Sequence, residues 1–108
     1  MKNKKKLEGA GWRVGDTQEF LGLSDAEAAY IELKLVLANE LRSRRRERRL
    51  NQTQVARIVG SSQSRVAKME AADSSVSVDL LIKSLFQLGA DREDLAETVK
   101  REAAGTAL

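Results

Sequence analysis

Apolar residues fall into a helical rhythm only after residue 24, and polar capping residues divide the rhythmic stretches into five segments. Ser24-Asp25-Ala26-Glu27 reads as a capping box, with Leu23 placed to staple against the first turn. From there Ile31, Leu35 and Ala38 form one stripe, and Tyr30, Leu33, Leu37 and Leu41 form a second beside it. The pattern predicts a long helix with an unusually broad buried face, arginine-rich after Leu41 and ending near Leu50. Such breadth suits packing on the domain core and on something further, either the N-terminal segment or a second subunit. Asn51 is placed to cap a short second helix over 52–59, and Gly60 to end it in a left-handed conformation. Ser62 caps a third helix, Gln63 to about Ala71, with Val66 and Met69 on its inner side. After a polar turn at 73–77, Ser77 caps a fourth helix from Val78 to Leu88, rich in Leu80, Leu81, Ile82, Leu85 and Phe86, and Gly89 stops it. That helix is expected to be mostly buried. A fifth, Arg92 to about Ala103, has only Leu95 and Val99 as a stripe and reads as a surface or partner-facing helix.

Ahead of these, residues 1–11 combine lysines with Gly9 and Gly11 without any period and read as a mobile arm. Trp12 to Leu23 carries scattered apolar anchors and is expected to be irregular, with Trp12 and Phe20, like Phe86, in the core. The organisation expected is an N-terminal arm and irregular segment over 1–23 and a helical domain over 24–108. With no proline and few β-branched runs, the class is all-α.

Composition narrows the chemistry. A length of 108 residues suits one domain with one modest core. Without cysteine there is no thiolate site or disulfide, and without histidine the commonest general base and metal ligand are both missing. Catalysis is therefore disfavoured, and no cofactor or metal is expected. Ser64 as a nucleophile would lack a base. No run approaches the roughly 20 apolar residues of a membrane span, and the basic start, Met1 to Lys6, has no apolar stretch after it. The expectation is a soluble cytoplasmic protein. Aromatic residues are too few and scattered for a single-strand stacking platform.

Charge is more informative by position than by sum. The net charge is only +3, yet Arg42, Arg44, Arg45, Arg46, Arg48, Arg49, Arg57, Arg65 and Lys68 crowd one interval opposed within it by Glu47 alone. By itself such a run is as compatible with a solvated, salt-bridged helix face as with a nucleic-acid surface. A membrane-surface helix is disfavoured, because the apolar half precedes the arginines along the axis instead of opposing them around it.

The segment that follows decides between the two. Two short helices joined by a tight turn at Gly60, directly after an arginine-rich helix end, can present a helix to the major groove at 52–70. At 100° per residue, inward Val66 and Met69 place Ser64 and Lys68 on the opposite side, with Gln63 and Arg65 flanking. Gln63, Ser64, Arg65 and Lys68 are the candidate base contacts, Gln63 matching adenine and Arg65 or Lys68 matching guanine. Gln52, Ser62, Arg44, Arg45, Arg48 and Arg49 are the candidate phosphate contacts.

Leu50 to Glu70, LNQTQVARIVGSSQSRVAKME, resembles the phage-repressor-like (lambda-repressor-like), XRE-type helix-turn-helix. The likeness lies in Gln52, Val55-Ala56, Gly60, Ser62-Gln63-Ser64 and Glu70, and continues in Val78 to Leu85. With Phe20 to Glu27 the chain resembles the HigA-like subgroup of antitoxins and autoregulators. Asn51 stands where the family usually has threonine, and Ser61 where it has an apolar residue, which removes a small packing contact. The resemblance implies a five-helix repressor domain that binds a near-palindromic double-stranded operator as a homodimer, and a pairing of Glu70 with Arg42, Arg45 or Arg46. It also brings in a competing reading, a protein-interaction module that neutralises a partner toxin, with DNA binding secondary.

Overall fold

The computed structural model describes residues 24–101. The chain divides into two compact units, residues 1–31 and 32–108. The arm and irregular segment expected over 1–23, including Leu23, Trp12 and Phe20, lie outside the described residues.

Among the described residues five helices follow in order: α1 (Asp25–Glu47), α2 (Gln52–Val59), α3 (Gln63–Glu70), α4 (Val78–Gln87) and α5 (Arg92–Lys100). No strand occurs among the described residues. In the first unit, Ser24 and Glu27 close the expected capping box: Glu27 N–H donates to Ser24 Oγ at 3.0 Å, and Ser24 N–H to Glu27 Oε1 at 2.8 Å.

The second unit is built around one core. Leu37 and Leu41 of α1, Val55 and Ala56 of α2, Val66 and Met69 of α3, Val76, and Leu81, Leu85 and Leu88 of α4 and its end form a single buried cluster. Leu95 contributes from α5 at its margin, where Thr98 is buried.

The broad burial expected for α1 is corrected. Leu37, Ala38 and Leu41 are buried, but Tyr30, Ile31 and Leu35 are each more than 40% exposed. Phe86, read as core, is likewise exposed. On α4 the spacing of Leu81, Leu85 and Leu88 defines the buried stripe, and Phe86 lies one residue, or 100°, past Leu85.

α1 also stops earlier than the sequence suggests. Arg49 adopts a left-handed φ of 56°, its N–H bonds Arg46 O at 2.9 Å, and Leu50 N–H reaches back to Arg45 O at 3.0 Å. This is the Schellman arrangement, which consumes the last free carbonyls and forces the chain off the helix axis. Arginine gives no sequence signal for such a stop, which normally falls on glycine. α3 ends in the same way at Ala72, with φ 54°.

Candidate nucleic-acid interface

The local sequence fixes α2 and α3 against each other. Asn51 accepts the Gln54 N–H at 2.8 Å and Gln54 Oε1 accepts the Asn51 N–H at 2.8 Å, so α2 opens on a closed capping box. Gly60, at φ 71°, ends α2, and Ser61 N–H bonds Ala56 O at 2.8 Å. Ser62 then caps α3, its Oγ accepting the Arg65 N–H at 3.2 Å. Val55 and Ala56 on one side of the turn and Val66 and Met69 on the other enter the shared core, which sets the crossing of the two helices.

The four residues expected to reach bases, Gln63, Ser64, Arg65 and Lys68, are all exposed, on the side of α3 away from Val66 and Met69. A chain of hydrogen bonds runs behind them. Gln63 Nε2 donates to Gln52 Oε1 at 2.7 Å, and Gln52 Nε2 donates to Glu70 Oε1 at 3.1 Å. Arg45 closes the chain: its Nε meets Glu70 Oε2 at 2.6 Å, its Nη2 meets Oε1 at 3.0 Å, and its Nη1 donates to Leu50 O at 3.1 Å. The Glu70 side chain is only 6% exposed, and its bonds raise the Arg45 guanidinium further above its ordinary value against the opposing effect of burial. Among the three arginines that the resemblance offered Glu70, it takes Arg45.

Two of the expected phosphate ligands are engaged within the protein. Arg45 is engaged by Glu70 and Leu50. Arg44 bonds Glu40 through Nε at 2.9 Å and Asp94 through Nη2 at 3.1 Å. Both side chains are about 15% exposed and point to the protein's own carboxylates. Arg48 is exposed, but its guanidinium rests on the α4–α5 turn, where a Cβ on Gly89 would come within 2.5 Å of Nη2. Gly89 therefore serves twice, by its φ of 95° and by leaving space for Arg48. Arg49 is exposed and makes no ion pair among the described residues, and Ser62 is exposed with its Oγ 3.3 Å from Ser64 Oγ. Exposed Arg46 and Arg57, part of the arginine-rich interval but not among the candidate DNA contacts, join Arg49, Arg65 and Lys68 as cations without an ion pair among the described residues.

Sequence reasoning missed Glu40. It accepts from Arg44 and, through Oε1, from Arg101 Nη1 at 2.5 Å, so that Arg101, Glu40, Arg44 and Asp94 form a chain of charges joining α5 to α1. The Glu40–Arg44 spacing of four was visible in the sequence; the 61-residue separation from Arg101 was not.

Among the described residues no cluster of acidic side chains could hold a metal ion, and no helix is long and apolar enough to cross a membrane. The interlocked helix pair, with its buried inner face and exposed polar and cationic outer face, is that of a DNA-binding helix-turn-helix. The family model for the helix-turn-helix domain matches residues 36–98, more than half of the chain, and the protein belongs to that family. Such domains are typically non-enzymatic DNA-binding regulators. No curated protein and no solved structure matches the chain.

Proposed function

We propose that the protein is a sequence-specific transcriptional repressor of the phage-repressor-like, XRE type, which binds a near-palindromic operator as a homodimer in the cytoplasm. The half-sites would lie about one helical turn, roughly 34 Å, apart. The observation that carries this reading is the outer face of α3, where Gln63, Ser64, Arg65 and Lys68 stand exposed opposite fully buried Val66 and Met69. Those four residues read base edges; Gln52, Ser62, Arg48 and Arg49 hold phosphates. The regulatory domain comprises residues 24–108, preceded by an arm over 1–23.

Fluorescence anisotropy tests the reading, using the full chain on the duplex upstream of its own gene and on a shuffled duplex across a salt series. Tighter binding to the upstream duplex by roughly a thousandfold or more at physiological salt is the expected result. Equal, salt-sensitive binding to both would reduce the interface to a basic surface.

A second reading, an antitoxin of the HigA-like subgroup that also neutralises a toxin protein, draws on the exposed Tyr30 and Ile31 of the first unit and the exposed Leu35 of the second. It requires a small basic toxin encoded beside this gene and a stable complex between the two on co-expression.

A further inference from the structure

We propose that Glu70 fixes the hydrogen-bonding polarity of Gln63, and with it a preference for adenine, through Gln52; the inference rests on the DNA-binding reading above. A terminal amide can be turned over at little cost, since its oxygen and nitrogen are nearly the same size, so its polarity is decided by its neighbours. Here the decision begins inside the protein. The Glu70 carboxylate, paired with Arg45 through both oxygens, has only acceptors to offer Gln52. Gln52 must turn Nε2 toward it, at 3.1 Å, which leaves Oε1 facing Gln63. Gln63 must then turn its own Nε2 toward that oxygen, at 2.7 Å.

What remains on the outward edge of Gln63 is Oε1 beside the second N–H of Nε2, an acceptor and a donor in fixed order. That order matches the N6 amino group and N7 of adenine in the major groove. Turned over, the amide would set its donor against the amino group and its acceptor against N7. Glu70 is therefore a positioning residue, largely buried behind the interface, and its charge type is translated across two amides into the identity of a base.

The test is selection by the full chain from a pool of duplexes with a randomised core. Wild type is expected to enrich a site with adenine favoured at one position of each half-site, and Gln63→Ala is expected to lose that preference and no other. E70Q is isosteric: the new amide keeps its oxygen at the Oε2 position for Arg45 Nε, and its nitrogen takes the Oε1 position, giving up the bond from Arg45 Nη2 and donating to Gln52, which reverses both glutamines. The adenine preference at that position should fall from roughly tenfold to none, while the other positions and the salt slope are retained. Q52M cuts the relay without changing charge; it also loses a proposed phosphate contact, so positional preference and not affinity is read from it. Circular dichroism shows which variants are folded, and if E70Q is not, Q52M decides. Folded variants that keep the adenine preference, a loss spread equally over all positions, or a wild-type preference for another base at the position Gln63 governs would each overturn the relay while leaving the regulator intact. Failure of wild type to enrich any sequence would instead remove the DNA-binding reading, and the relay with it.

Discussion

Among the described residues, two hold a backbone conformation that their side chains disfavour, and they allow separate tests of stability and of function. Arg49 and Ala72 occupy left-handed φ values of 56° and 54° at the ends of α1 and α3. A non-glycine residue there costs roughly 1–2 kcal/mol, partly offset on replacement because glycine loses more entropy on folding. Ala72→Gly should therefore raise unfolding stability by about 0.5–1 kcal/mol, measured by urea denaturation. Arg49→Gly should stabilise by a similar amount and yet weaken DNA binding, with the slope of log affinity against log salt shrinking by about one unit. A stabilised protein with an unchanged slope would take Arg49 off the phosphate backbone. The opposite logic governs Arg45. Arg45→Ala would leave a nearly buried Glu70 carboxylate with one glutamine N–H as its remaining partner among the bonds observed, and should cost roughly 3–5 kcal/mol, the range for breaking a buried pair from one side. At this scale the sequence was partly legible. Helical angles placed Gln63, Ser64, Arg65 and Lys68 outward, but they could not choose among Arg42, Arg45 and Arg46 for Glu70, because that choice depends on how α1 crosses the end of α3.

At the scale of elements, the helices were legible where caps announce them. Ser24, Asn51, Ser62 and Ser77 each accept a first-turn N–H, and α2, α3 and α4 begin where those residues predict. The Asp91–Asp94 box that opens α5 went unread although it is equally local. Burial was less legible, because hydrophobicity records what a side chain tolerates and not which way the helix is rolled. α4 shows the difference: Leu85 is in the core and its neighbour Phe86 is 41% exposed. Leu85→Ala should cost about 2–5 kcal/mol, whereas Phe86→Ala should stay below about 1 kcal/mol, despite removing the larger side chain. Comparable losses in chemical denaturation would mean that Phe86 is covered in solution.

For the molecule as a whole, the arginine-rich interval looks nearly unopposed in sequence because its counter-charges come from outside it. Glu40 lies just before it, Glu70 just after, and Asp94 and Arg101 far downstream, yet they divide the cations into an inner and an outer set. The inner set has an acid signature. The Asp94 carboxyl is drawn below its ordinary value, first by the Asp91 N–H and then by Arg44; outside that set, Asp73 is drawn down by the Ser75 hydroxyl and N–H, with Lys68 and Lys34 adding to it. Because the folded values are depressed, this stabilisation is fully present above the ordinary aspartate value of about 3.9 and is lost as pH falls through the folded values. Thermal midpoints should hold steady down to about pH 5 and then decline, with a shallower decline in Asp94→Asn. The outer set predicts the converse in DNA binding. Each cation on a phosphate releases counterions and adds close to one unit to the salt slope, whereas a cation already neutralised by the protein adds nothing. Arg44→Ala should thus leave the slope of wild type unchanged while lowering stability, since Glu40 keeps only Arg101 among its observed partners and Asp94 loses its arginine. A slope reduced by Arg44→Ala would show that DNA draws this arginine away from Glu40 and Asp94 on binding, and that the charge chain between α1 and α5 opens when the operator is engaged.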